Sequence, residues 1–234
     1  MDKHILKNGE ALARAATNHF IALANEAINE RGRFSVALSG GSTPKRMHAL
    51  LASEFKNEVD WSKVYIFFGD ERFLAPYDAD SNYYMADETL LSKVDIPAEN
   101  VFPFITLEVT PEESAEIYEG ELKRFFESEL PQLDLIFLGM GEDGHTASLF
   151  PDNDVTLNPP DGLVAAVHNS PKPPPDRMTL TLNTLNAAKN VIFLVGGEGK
   201  RDALKRIENG EALPASLVQP QGKLLWLLDE AAAG

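Results

Sequence analysis

The sequence predicts a Rossmann-like α/β fold, a mostly parallel sheet with helices on both faces, and three observations carry that prediction. Short apolar runs of strand length recur along the chain, helical stretches separate many of them, and glycine-rich polar turns follow several directly. The runs are Phe34 to Leu38 (FSVAL), Val64 to Phe68 (VYIFF), Asp134 to Leu138 (DLIFL), Leu163 to Val167 (LVAAV), Met178 to Leu182 (MTLTL), Val191 to Val195 (VIFLV) and Leu224 to Leu228 (LLWLL). Several are apolar on both faces, as a buried parallel strand must be. Strands that alternate with helices imply right-handed crossovers and a sheet covered on both sides.

The chain up to Gly32 reads as a helix with Leu12, Ala16, Phe20, Leu23 and Ile28 near one face. Its acids and amides interrupt the apolar core that a secretory signal needs. Thr110, Pro111 and Glu113 form a capping-box start, and Tyr118, Leu122 and Phe125 give the helix that follows its apolar stripe. That helix is expected to end near Pro131. The segment Ser170-Pro-Lys-Pro-Pro-Pro-Asp176 reads as stiff and extended. With no internal repeat and no low-complexity linker, residues 1–234 read as one domain.

Composition narrows the function. Hydrophobic residues make up 44% and charged residues 24%, which is globular usage. With 21 Lys and Arg against 36 Asp and Glu the formal charge is -15, so phosphate backbones and anionic lipid are repelled at long range. Neither nucleic acid nor membrane is expected as a partner, and no run of 18 apolar residues is present to span a bilayer. A phosphorylated ligand must therefore meet a local cluster of cations. There is no Cys, which excludes disulfides, thiolate metal sites and a thiol nucleophile, and which suits a reducing cytoplasm.

In open sheets of this kind ligands bind beyond the carboxyl ends of the strands, so the residues that follow each run matter most. After the first comes Ser39-Gly40-Gly41-Ser42-Thr43-Pro44, a strand-to-helix turn whose N–H groups and hydroxyls suit a phosphate or carbonyl oxygen. It lacks the spacing of a Walker loop or a nucleophile elbow, and taken alone it is also compatible with a plain turn. Gly139-Met140-Gly141-Glu142-Asp143-Gly144 satisfies the letters of a dinucleotide fingerprint, but Pro151 leaves barely one helical turn after it. No nucleotide cofactor is expected.

His145, after this turn, is the candidate catalyst; the start of a short helix is expected here, where helix polarity favours the neutral, basic imidazole. Asp143 is placed to fix its tautomer. On spacing alone His145 is as readily a surface histidine. His4, His19, His48 and His168 lack comparable neighbours, and no HExxH or His pair at ligand spacing exists, so no metal is expected. Asp70, Glu71 and Arg72 end the second run, Lys200 opens another helix, and Arg177 follows the proline segment. Any one of these cations is ordinarily a solvated residue, but three at strand ends in so acidic a chain form a candidate anion site.

Together SGGSTP, GDER, Ser81-Asn82-Tyr83, LGMGEDGHTASLFP from Leu138 to Pro151, SPKPPPDRMTLTL, GGEGK and LLWLLDEAAA resemble the 6-phosphogluconolactonase branch of the glucosamine-6-phosphate isomerase/6-phosphogluconolactonase family, in order and over nearly the full chain. The resemblance implies a sugar-phosphate isomerase-like three-layer sandwich. It also implies hydrolysis of 6-phospho-D-glucono-1,5-lactone to 6-phosphogluconate in oxidative pentose phosphate metabolism, with His145 as general base. A phosphorylated sugar lactone is then the small-molecule partner, and the protein a monomer or small homo-oligomer. Arg72, Arg177 and Lys200 are the candidate phosphate ligands, Ser39, Gly40, Gly41, Ser42 and Thr43 meet phosphate or sugar oxygens, and Asp70 orients Arg72 or a sugar hydroxyl. Two other readings stand beside this one: a glucosamine-6-phosphate isomerase or deaminase, and a non-catalytic sugar-phosphate-binding protein. Ser148-Leu149-Phe150-Pro151 after the histidine favours the lactonase.

Overall fold

The structure is a computed structural model that describes residues 2–234. β1 (Lys3–Leu6), α1 (Gly9–Arg31), β2 (Phe34–Leu38), α2 (Ser42–Ser53), β3 (Val64–Phe68) and β4 (Asp70–Arg72) open the chain. Then come α3 (Asn82–Thr89), α4 (Pro111–Phe126), β5 (Leu135–Gly139), α5 (Asp154–Leu157), β6 (Val164–Val167), β7 (Arg177–Leu180) and α6 (Leu182–Ala187). β8 (Asn190–Val195), α7 (Arg201–Glu208), α8 (Pro214–Leu217), β9 (Lys223–Asp229) and α9 (Glu230–Ala233) follow. Among the described residues no helix is long and apolar enough to cross a membrane.

Six strands pair in parallel in the order β1-β9-β8-β5-β2-β3. β2 is buried along its whole length, which explains why FSVAL carries no polar alternation. The chain runs outward from β2 to β3 on one side and from β5 through β8 to β9 on the other, so the order reverses between β2 and β5. That reversal opens a crevice at the carboxyl ends, the place where such sheets bind ligands. The turn SGGSTP leaves β2 and the turn GMGEDGH leaves β5, one on each side of the crevice.

The runs at Leu163 and Met178 belong elsewhere. β4, β7 and β6 form a separate antiparallel sheet. The connection between β6 and β7, residues 168–176, is shorter than the dozen or more residues a parallel crossover requires. Gly69 joins the two sheets: its N–H donates to the Leu38 carbonyl (2.8 Å) and its carbonyl accepts from Leu180 N–H (2.9 Å).

The N-terminal helix begins later than its periodicity predicts. Lys3–Leu6 is instead an edge strand paired with β9, and Asn8 starts α1 by accepting from Ala11 N–H. Leu12, Ala16 and Phe20 are buried as expected, and Phe20 packs edge-on against Phe34 of β2. The capping box of Thr110 and Glu113 is present, but α4 stops at Phe126, where Glu127 turns left-handed at φ 50°. The predicted strand start at Asp134 serves another purpose. Its carboxylate accepts from Ser35 N–H and Oγ (both 2.9 Å) and pairs with Arg31 (3.0 Å) and Lys189 (2.8 Å), bracketing β2 to β5 at their amino ends.

The proline segment is folded rather than extended. Ser170 N–H donates to the Pro175 carbonyl (2.9 Å), and the Pro173–Pro174 bond is cis. Nor does His145 start a helix. Residues 141–150 are consecutive turns with an isolated Thr146–Leu149 bridge, and Ala147 sits at φ 47°, which breaks any helical run.

Candidate active site

A cavity of about 280 Å³ occupies the crevice. Ser39, Gly40 and Gly41 line it from the turn after β2, Asp70 and Arg72 from β4, Asn82 from α3, and Gly139, Met140, Gly141, His145 and Ala147 from the segment after β5. Lys172 enters from the proline loop, Arg177 from the start of β7 and Lys200 from the turn after β8. Four cations thus meet in the cavity against one carboxylate, Asp70, in a chain whose net charge is -15. That local reversal of sign is the field an anionic ligand requires.

His145 is held from two sides. Its Nδ1 lies 2.5 Å from Asp143 Oδ1, which also accepts from the His145 backbone N–H (3.2 Å). A carboxylate can only accept, so it selects the Nδ1–H tautomer and leaves Nε2 with its lone pair free. No hydrogen bond engages Nε2 among the described residues. Partial burial works to raise the Asp143 carboxyl, but the hydrogen bond and charge of His145, its backbone N–H and the nearby Lys172 outweigh it. Asp143 is consequently held well below the usual carboxylate range. Gly141 makes room for the pair, because a Cβ there would lie 2.0 Å from His145 Nδ1 and 2.5 Å from Asp143 Oδ1. The expected helix end is therefore replaced by a carboxylate as the group that orients the imidazole.

The cations differ in their restraints. Arg177 is buried and donates through Nε to the Pro174 carbonyl (3.3 Å) and through Nη2 to those of Lys172 (3.2 Å) and Pro173 (3.0 Å). Its side chain thereby organises the loop that carries Lys172. Burial lowers the pKa of Arg177, and burial likewise lowers Lys200 although Glu142 pulls the other way. Cations stripped of water in this way gain most from a strongly charged partner. Arg72 donates through Nη1 to the Asp80 carbonyl, while its Nε is buried without a partner among the described residues. Ser39 Oγ is in the same condition. Buried polar atoms of this kind cost about 1–3 kcal/mol unpaired, which suits both to a ligand oxygen.

No hydrogen bond or ion pair joins Asp70 to Arg72 among the described residues, so of the two expected roles the sugar hydroxyl is the one left open. Asp70 Oδ2 accepts from Ser148 Oγ (2.7 Å) and its Oδ1 from Asn82 Nδ2 (3.2 Å). Glu71, next to it, is buried and accepts from Arg72, Asn82 and Tyr83 N–H and from Ser81 Oγ, so it pins the start of α3 against β4. Burial raises the Glu71 pKa against those donors. Gly41, at φ 111°, caps α2, and no hydrogen bond among the described residues engages the N–H of Gly40 or Gly41. Ser42 and Thr43 do not line the cavity.

Residues 7–226 match a family described as glucosamine-6-phosphate isomerases/6-phosphogluconolactonase. The chain belongs to this family. It is similar to the 6-phosphogluconolactonase of Nostoc sp., 42% identical over 235 residues that cover 97% of this chain and 95% of the relative. The human 6-phosphogluconolactonase is 46% identical over 215 residues, 87% of this chain and 81% of that one. Among solved structures, 6-phosphogluconolactonase from Trypanosoma cruzi superposes with a TM-score of 0.88 at 29% identity, covering 99% of this chain and 95% of that chain.

In this member of the glucosamine-6-phosphate isomerase/6-phosphogluconolactonase family, the fold brings most of the candidate residues together. Ser39, Gly40, Gly41, Asp70, Arg72, His145, Arg177 and Lys200 share one cavity, with Asp143 behind His145. Sequence reasoning missed Lys172 and Asn82. Lys172 is the one cation inside the proline run, and that placement is its signal. Asn82 looks like part of a helix start, and only the fold brings it against Gly40, where a Cβ would lie 2.0 Å from its Oδ1.

Proposed function

We propose that the chain is a 6-phosphogluconolactonase that hydrolyses 6-phospho-D-glucono-1,5-lactone, with His145 as general base. The observation that carries this reading is the free Nε2 of His145 in the same cavity as Arg72, Lys172, Arg177 and Lys200, with Nδ1 committed to Asp143. Nε2 takes a proton from water as the water oxygen bonds to C1 of the lactone. Charge develops on the former carbonyl oxygen, which the Gly40 and Gly41 N–H groups at the start of α2 are suited to receive. The C1–O5 bond then breaks and the imidazolium returns its proton to O5, giving the open-chain acid, which ionises to solvent.

A δ-lactone is an activated ester, so the barrier left to the protein is modest. A positioned base contributes about 10²–10⁴-fold, and oxyanion donors add a comparable factor. The four cations take the 6-phosphate, and Asp70, fixed by Ser148 and Asn82, accepts from a sugar hydroxyl. The test is base consumption on freshly made δ-lactone, with the spontaneous rate subtracted, beside ammonia release from glucosamine 6-phosphate. Accelerated acid release without ammonia is the expected result; ammonia, or binding of 6-phosphogluconate without acceleration, overturns the reading.

A further inference from the structure

His145 lies on a run of turns, with no strand or helix of its own to hold it. The Asp143 contact fixes Nδ1 alone, and an imidazole tethered at one atom can still pivot and swing Nε2 away from its target. Gly141 leaves space along the Nδ1–Cε1 edge that a Cβ would fill. The remaining contact is aromatic: the ring of Phe150 lies 4.5 Å from the imidazole, centroid to centroid, at 38°. Phe150 is 1% exposed, so this ring is itself buried. Its centroid also lies 5.6 Å from the Arg177 guanidinium carbon, which is tied to three loop carbonyls.

We propose that Phe150 is a positioning residue for His145: its buried ring stops the imidazole from pivoting and presents a π face to the imidazolium formed during turnover. The proposal rests on the reading of His145 as base. An aromatic face attracts a cation through its quadrupole, so the protonated imidazole gains from Phe150 what an aliphatic side chain cannot give. Phe150 also stands in contact with Arg177. The other charged groups around the imidazole are Asp143 on its own turn, Asp70 and Arg72 of β4, Lys172 of the proline loop and Lys200 after β8, while Arg206 of α7 acts on Asp143. All of them remain when Phe150 is replaced.

The experiment uses the full chain with Phe150→Leu, and with Phe150→Met as a second apolar replacement should the first fail to fold. Phe150→Tyr keeps the aromatic face. The Leu or Met variant is expected to lose about 10-fold or more in kcat, within the range of a displaced general base, with KM and product affinity within about twofold. Phe150→Tyr is expected to keep most of the turnover. In proton NMR the His145 Cε1–H resonance is expected to lose its ring-current shift in the Leu or Met variant. A folded Leu or Met variant with unchanged kcat, or one in which only KM rises, overturns the proposal. So does an unchanged His145 resonance, which is read without any substrate. A wild-type protein that fails to hydrolyse the lactone sinks the proposed function instead and leaves the NMR result to judge the positioning.

Discussion

Asp143 Oδ1 sits 2.5 Å from Nδ1 of His145 and simultaneously accepts from the backbone N–H of the same residue. The carboxylate therefore fixes both the turn and the tautomer. Asp143→Asn keeps an acceptor but removes the charge that steadies an imidazolium, so kcat should fall about 10²-fold with KM nearly unchanged. Because Asp143 is held well below the usual carboxylate range, it stays ionised throughout the weakly acidic region. Steady-state kinetics between pH 5 and 8 should accordingly show no loss that Asp143→Asn abolishes. A large KM effect would place Asp143 on the substrate.

Charge in the cavity should act through the phosphate. Arg72→Met, Lys172→Met and Lys200→Met should each lower kcat/KM for the phosphorylated lactone by about 10- to 150-fold, the equivalent of one charge-assisted contact of roughly 1.5–3 kcal/mol. Unphosphorylated gluconolactone cannot use these groups, so its turnover should hardly change at matched ionic strength. Arg177→Met is expected to differ. It also releases the carbonyls of Lys172, Pro173 and Pro174, so both lactones should suffer. Equal losses on both lactones for Lys172→Met would remove that residue from the phosphate site.

His48 makes stability pH-dependent. It is buried between α2 and α3, and its Nδ1 lies 3.2 Å from Thr89 Oγ1. Thr89 donates its own proton to the Met85 carbonyl (2.6 Å), so His48 must donate through Nδ1, and Nε2 is buried without a partner. Burial pushes its pKa down to about 4, from the 6.5 of an ordinary solvated histidine. Since the unfolded chain binds this proton first, stability is full above pH 6.5 and is lost as pH falls toward 4. The difference amounts to about 3 kcal/mol, taking about 1.36 kcal/mol per pH unit. Urea unfolding of His48→Gln should show a shallower acid decline than wild type between those values, although its neutral-pH stability is lower. Parallel declines would mean that His48 is not the group responsible.

The fold was legible where burial is uniform. β2 and β3 begin and end where FSVAL and VYIFF do, because strands so largely buried read as near-continuous apolar runs, with Ser35 of β2 bonded to Asp134. Lys3–Leu6 was not legible: an edge strand of four residues is defined by its partner β9, and its periodicity merged with that of α1. The same limit hid the second sheet, since MTLTL looks identical in a parallel or an antiparallel setting. His145, Arg72 and Lys200 could be read because each lies within a short turn of the carboxyl end of a strand-like apolar run. Asn82 and Lys172 reach the cavity only through tertiary contacts, Asn82 through Asp70 and Lys172 through the loop wrapped around Arg177. The partners of Asp70 were hidden for the same reason, as Ser148 lies far away in sequence.

The most direct test of the account is turnover of 6-phospho-D-glucono-1,5-lactone by His145→Gln beside wild type, followed by base consumption with the spontaneous rate subtracted and with product affinity measured in parallel. The account predicts that wild type accelerates hydrolysis, and that the variant loses about 10²-fold or more in kcat while still folding and binding 6-phosphogluconate normally. A folded variant with near-normal turnover would contradict it, and would return His145 to the status of a cavity-wall residue.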